Sequence, residues 1–405
     1  MLPRIAGPFQ QSLSTVESLT RKGATAHDFV VFTPFEETRQ RLLEYGITAI
    51  RFKHHGYRLL DRWSATVLGN AVLRRLRRLG LRRLGRHLDA FLDDYDIDLA
   101  VLNDCGDVAL RIGDHPVIVT VWDVDHRDHP EFPEEYADRL FERQERWFRA
   151  MLTRAMAVIV NSRSGARRIA KLYQVDPDRI VELPFLPSLA VRRHAAGTRL
   201  ATAEGVRRKY NLPDRYVFYP AYFSFHKNHL YLLEALVELE RRHGVVLNTV
   251  FCGGGDPQDQ PNVERQVRAL GLTERVQFLG EVPDEDVPAL YEGAMAMVMP
   301  SYFGPTNLPP VEAVTLGCPV ICSDFPGSRD QMGDAALYCD LRDASSLAGH
   351  LAALIRDPAL RERLQKAGRK LAAELAKVDY GARLAPVLDN FAYVRRRWAW
   401  PQKPA

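Results

Sequence analysis

The chain has 405 residues, 46% of them hydrophobic and 26% charged, with a net charge of +4. That length suits two domains with separate cores, and the balance is globular; the charge is too mild to call for nucleic acid. No apolar run approaches the 18 or more residues of a membrane span and no secretory pattern opens the chain, so a cytoplasmic protein is expected.

The first expected strand is short, Leu2 to Ile5, and runs into Gly7-Pro8-Phe9-Gln10-Gln11-Ser12 and then a helix. Short buried strands follow at Asp28 to Thr33, Ile47 to Phe52, Asp98 to Leu102, Pro116 to Val121 and Ala157 to Asn161. Helices are expected between them, for example Phe35 to Tyr45 and Glu134 to Arg154. A polar, Arg- and Ala-rich connector then spans Leu189 to Lys209. Beyond it, strands are expected at Tyr216 to Pro220, Val246 to Cys252, Val276 to Leu279, Met295 to Pro300, Pro319 to Ser323 and Ala336 to Tyr338. Helices continue to about Leu375, and a last one covers Tyr380 to Trp398. This alternation is that of a doubly wound α/β protein. The domains divide as 1–190, a connector 191–209, 210–378, and a terminal helix 379–405. The five cysteines include Cys318 and Cys322, but no second Cys or His pair accompanies them, so reduced thiols are expected rather than zinc.

Charge is uneven in one place. Between Leu73 and Phe91, on a helical wheel of ~100° per residue, Leu73, Leu76, Leu84, Leu88 and Phe91 share one side, and Arg74, Arg75, Arg78, Arg82 and Arg86 the other. Gly80 and Gly85 weaken such a helix. A basic amphipathic helix can lie on an anionic membrane surface; a solvated face over an ordinary core fits the same pattern.

The densest chemistry lies in Pro300-Ser301-Tyr302-Phe303-Gly304-Pro305-Thr306-Asn307-Leu308-Pro309-Pro310-Val311-Glu312-Ala313. An apolar strand ends in a Gly- and Pro-rich loop, and the loop opens a helix with Pro309 and Pro310 in its first turn. A helix start offers free N–H groups and the positive end of the dipole, which suits phosphate. Glu312, one turn inside, can accept bonds from vicinal hydroxyls such as those of a ribose. Lys227, in Tyr222-Phe223-Ser224-Phe225-His226-Lys227, follows the first strand of the second half, where a cation would face the same ligand.

These segments resemble the retaining, GT-B glycosyltransferases of family 4, whose signature is a Glu, Gly-Phe-Gly-Leu-Pro and a second Glu. Leu308-Pro309 and Glu312 match. Gly304 stands at the first Glu, and Pro305-Thr306-Asn307 replace Gly-Phe-Gly, a form similar to a bacterial subgroup. Lys227 matches the family Lys, with Tyr222 at its Arg. Asp123, His126, Pro130, Glu131 and Phe132 match a His-Asp-Leu-Gln-His…Pro-Glu-Phe segment, with Trp122 at the first His. Gly7 and Gln10 look like the remnant of an N-terminal Gly-rich turn. The resemblance is densest from Tyr210 to Asp340.

It implies two Rossmann-like domains facing across a cleft, and transfer from a nucleoside-diphosphate sugar to a glycan or polyprenyl-linked acceptor with retention. GDP-mannose is the first guess for donor. Lys227, Asp123 and His126 would be catalytic; Glu312, Thr306, Asn307, Leu308, Gly253, Gly254, Val282 and Gly7 would bind donor, the glycines by letting the backbone approach it. No essential metal or other cofactor is expected, because Lys227 and a helix dipole would offset the diphosphate charge. A sugar-nucleotide 2-epimerase and a non-catalytic sugar-nucleotide-binding protein stay open as rivals; transfer, epimerisation and mere binding leave different products.

The 73–91 pattern predicts sedimentation with anionic vesicles that weakens steeply with salt, each basic residue contributing about 1 kcal/mol at the surface. Replacing Arg74, Arg78 and Arg82 by Gln should release the protein. A wild type that stays in the supernatant at low salt would make this an ordinary solvated face.

Overall fold

The computed structural model describes residues 6–21, 26–52, 87–103, 109–198, 201–255, 259–304 and 306–397. Its first half holds strands β1 (Val31–Thr33), β2 (Ala49–Arg51), β3 (Ala100–Leu102), β4 (Val117–Val121), β5 (Ala157–Val160) and β6 (Ile180–Glu182). β1 and β2 pair with each other, while the other four form a parallel sheet in sequential order. The second half holds β7 (Tyr216–Pro220), β8 (Asn248–Cys252), β9 (Val276–Phe278), β10 (Ala296–Met299), β11 (Val320–Ser323) and β12 (Ala336–Cys339). These form one parallel sheet in the order β9-β8-β7-β10-β11-β12. Every residue of β4, β5, β10 and β11 is buried, as expected of parallel strands covered by helices on both faces.

The strand order reverses between β7 and β10, so the connections leaving them diverge and open a crevice beyond their C-terminal ends. The fold thereby selects which loops can meet a ligand.

Several expectations need correction. The connector is largely helical, Leu189–Ala195 and Ala203–Tyr210, because Ser188 and Thr202 cap the two starts by accepting N–H bonds from Val191 and Gly205. The single helix expected over 134–154 is broken where Asp138 and Arg139 take left-handed backbone. β6 was not expected at all. Gly7 and Gln10 lie inside the helix Ala6–Thr20, not in a Gly-rich turn, and Phe9, Leu13 and Leu19 of that helix are buried. Leu2 to Ile5 and most of Leu73 to Phe91 fall outside the described residues; His87–Asp94 is a helix whose Phe91 packs on Phe32 and Phe52.

The chain crosses between the halves twice. After β6 it passes through Pro184 to Ser188 into the connector, and after Leu375 it returns as the helix Tyr380–Arg397. Tyr380, Leu384 and Leu388 of that helix bury against Leu19, Ile118, Ile159 and Leu186. The Tyr380 hydroxyl donates to the Pro184 carbonyl at 2.5 Å and accepts from Gln11 Nε2 at 2.6 Å, so the two crossings are bonded together.

Gly253 sits at φ +138°, and a Cβ there would come within 2.6 Å of the Ala221 carbonyl oxygen. We expect Gly253→Ala to destabilise the chain by about 2–3 kcal/mol, combining backbone strain with the clash. Gly46→Ala, at φ +78° with nothing nearby, should cost only about 1 kcal/mol. Equal shifts in the two denaturant midpoints would show that the contact with Ala221 is not constraining.

Candidate active site

Past β7 the chain reaches a 3₁₀ turn, Phe225–Lys227, and left-handed Asn228 (φ 56°), which turns it into the helix His229–His243. Past β10 it forms the loop that opens the helix Leu308–Thr315. The two loops meet at the crevice, where Lys227 Nζ donates to Asn307 Oδ1 at 3.4 Å. Asn307 is itself held by Gln331: its N–H donates to Gln331 Oε1 (3.1 Å) and its carbonyl accepts from Gln331 Nε2 (2.8 Å). The helix start is poorer in donors than the sequence reading supposed. Pro309 and Pro310 bring no N–H, and the N–H of Asn307 is already spent on Gln331.

The first half supplies the opposite wall. The segment after β4 brings Asp123 and Asp125 toward Lys227. Burial pushes the Lys227 ammonium below its usual range, while the carboxylates of Asp125, Asp123 and Glu134 work against that shift. Burial and the neighbouring Asp123 push Asp125 up to about 9, and burial with Asp123 and Glu134 pushes Glu135 up to about 7. Asp123 is raised by burial as well; its side chain stands open to the cleft, but protein surrounds it closely enough to thin the water. At neutral pH the cleft therefore carries less negative charge than its carboxyl groups suggest.

An aromatic stack ties the walls together. Phe303 lies between His129 and His226, at 4.8 and 4.4 Å between ring centroids, and Phe132 meets it edge-on. Glu134 Oε1 accepts from the His226 backbone N–H (2.9 Å) and faces His226 Nδ1 (2.8 Å). Burial pushes His226 down to about 4, so the ring is neutral. Beside the stack lies a cavity of about 310 Å³. Trp122, Asp123, Asp125, Arg168, Tyr302 and Gly304 contribute to its lining, with Arg168 already paired to Asp128.

Other expected site residues lie elsewhere. His126, expected at the cleft edge, is 1% exposed and turned into the first domain's core. Its Nε2 meets Glu145 Oε1 at 3.0 Å and its ring stacks on Phe148 at 5.1 Å. Glu145 also holds Arg127 and Tyr173, and this network pulls the ring away from the cleft. Glu312 is buried rather than open: Oε1 accepts from the Ser188 N–H (3.2 Å) and Oε2 from the Tyr291 hydroxyl (2.9 Å), with burial raising its pKa. Leu308 is buried in the second core. Thr306 is buried too, and its hydroxyl has no partner among the described residues. The side where Gly253 and Gly254 would carry a Cβ is filled by Ala221 and Glu281, so these glycines are first needed for packing. Val282 packs on the same core, its backbone N–H directed at the Cys252 thiol. Gly7 is placed only as part of a helix.

Asp125, Glu134, Glu135, His129 and Gln331 were missed. Asp125 was visible beside Asp123, but nothing local to 134, 135 or 331 announces the partner each meets in space.

Residues 13–184 match the family model described as Glycosyltransferase Family 4, and residues 204–371 match Glycosyl transferases group 1. Each half of the chain thus matches a glycosyltransferase domain model, and the fold is GT-B. Its GT-B fold is similar to that of Anabaena Alr3699/HepE solved with UDP and glucose (TM-score 0.68, 15% identity, 97% of this chain and 98% of that one). It is also similar to a glycosyltransferase from Rickettsia africae (TM-score 0.66, 15% identity, 98% of each chain). Among curated proteins, the O-antigen chain mannosyltransferase B of Escherichia coli is 30% identical over 216 residues, covering 52% of this chain and 54% of that protein. A D-inositol 3-phosphate glycosyltransferase of Salinispora arenicola is 29% identical over 238 residues, covering 56% and 53%. The chain thus spans about half the length of the curated relatives it matches.

The raised carboxyls of the GT-B cleft predict a pH effect. A group held above its usual pKa is neutral below the raised value and charged above it, so Glu135 and then Asp125 become anionic as pH climbs from 6 to 9. Affinity for UDP or GDP should fall over that range, by about 1 kcal/mol or ~5-fold per charge gained. Asp125→Asn should flatten the upper part of the curve measured by calorimetry. A pH-independent Kd would show that these carboxyls do not face the bound diphosphate.

Proposed function

We propose that the chain transfers a hexose from a nucleoside-diphosphate sugar to a glycan or polyprenyl-linked acceptor, with retention of configuration at the anomeric carbon. The observation that carries this reading is the meeting of Lys227 and Asn307 at the crevice between β7 and β10, opposite Asp123 and Asp125. A cation at a helix start is suited to a diphosphate leaving group. The aromatic stack beside it narrows the cleft, and a site closed further over bound donor would favour transfer over hydrolysis.

In this reading the Lys227 ammonium binds the diphosphate and offsets the charge that grows on it as the glycosidic bond breaks. Asp123, open to the cleft, accepts hydrogen bonds from sugar hydroxyls. Thr306, whose hydroxyl lacks a protein partner, and the helix start at Leu308 face the phosphates. Glu312 uses the lone pairs left by Ser188 and Tyr291 to hold the ribose, and the backbone near Val282 meets the base. Turnover needs no essential metal. GDP-mannose is the first donor to try, supported by the likeness to an O-antigen chain mannosyltransferase. Work at the cytoplasmic face of a membrane, with 73–91 as a peripheral contact, would suit a lipid-linked acceptor.

The deciding experiment offers the protein radiolabelled GDP-, UDP- and ADP-sugars with and without membrane extract, and identifies the products. Labelled glycan or glycolipid supports transfer. An epimerised sugar nucleotide, or binding without product, rejects it. Lys227→Ala should lower kcat by about 100-fold while raising donor KM far less, because the charge it meets is largest in the transition state. A variant changed only in KM would show that Lys227 binds the donor without assisting departure.

A further inference from the structure

We infer that Gln331 is a positioning residue for Lys227, acting through Asn307; the inference rests on the transfer reaction proposed above. Gln331 lies on the helix Pro326–Met332, well away in sequence from the loop it touches. Both ends of its amide engage the backbone of one residue, accepting the Asn307 N–H at 3.1 Å and donating to the Asn307 carbonyl at 2.8 Å. A side chain here does what a neighbouring strand does in a sheet, fixing one peptide from both sides.

That anchor is needed because the usual ones are missing. Asn307 occupies the N-cap position of the helix Leu308–Thr315, yet its side chain accepts no bond from that helix. The next two N–H groups that could have taken part are replaced by Pro309 and Pro310. The Asn307 amide is turned to the cleft instead, with Oδ1 accepting from Lys227 Nζ and Nδ2 donating to the Gly304 carbonyl, each at 3.4 Å. Bonds of that length are lost on a small backbone displacement. Lys227 has no close ion pair among the described residues, so the Asn307 oxygen sets where its ammonium points. The order of dependence runs from Gln331 to the Asn307 peptide, to the Asn307 amide, to the ammonium.

Two substitutions test this. Gln331→Glu keeps size and one acceptor but sets a carboxylate oxygen against the Asn307 carbonyl; Gln331→Ala removes both bonds. Each should lower kcat about 10-fold with donor KM within about 2-fold, as expected of a misplaced catalytic group. In Gln331→Ala the alkaline limb of the kcat profile should move to lower pH, because an ammonium that has lost its acceptor releases its proton more readily. In a Lys227→Ala background, Gln331→Ala should have no further effect on kcat. Multiplying losses in the double variant, or an alkaline limb that stays in place, would overturn the inference. If the wild type transfers no sugar from any donor, the transfer reading fails but the positioning can still be judged. After reductive ¹³C-methylation, the Lys227 methyl signal should titrate at lower pH in Gln331→Ala than in wild type, and superimposable curves would reject it.

Discussion

The cost of keeping one ammonium out of bulk water organises much of the molecule. Lys227 lies where two sheets end and two domains meet, and burial pushes its ammonium below the usual lysine range. The surroundings answer with an amide oxygen from one loop and three carboxyl groups from the other domain. Burial, reinforced by repulsion from Asp123 and Glu135, keeps Asp125 protonated near neutrality. Charge on either side of the cleft is tolerable only while the other side is present, so the domains are held in register electrostatically as well as by packing.

The same economy appears at Asp284, just past β9. One of its carboxylate oxygens accepts from Gln10 Nε2, an Arg41 guanidinium N–H and the Tyr45 hydroxyl, at 2.7, 2.7 and 2.6 Å. All three donors belong to the first domain, and Arg41 and Arg193 also lie over the Tyr45 ring. A loop of the second half is thus gripped by helices of the first half. Its burial pushes the Tyr45 phenol well above its usual range, so it remains a donor at any working pH.

The fold was legible because parallel strands covered on both faces must be apolar throughout, and runs such as Met295 to Met299 or Ala157 to Val160 admit no other reading. The two helices inside the connector went unread because its polarity was weighed and its caps, Ser188 and Thr202, were not. In the site, Lys227 and Asn307 could be found from their places after strands, where the topology sends side chains into a crevice. His126 could not be judged that way, because its direction depends on Glu145, which lies nineteen residues on. Gln331 is the extreme case, since its role is set by a contact across 24 residues with no motif of its own.

The doubled crossing between the domains bears on how the cleft could admit and release ligands. Because Tyr380 is bonded to Pro184, the outgoing and returning strands of chain behave as one spine rather than two independent tethers. A spine of that kind resists shear and sliding, and leaves rotation about its own line as the low-cost movement. The contacts away from it, His226 with Glu134 and Arg167 with Asp330, are non-covalent and would part as a clasp does. Rotation about that line would part the His226–Glu134 and Arg167–Asp330 contacts together while leaving the Tyr380–Pro184 bond in place.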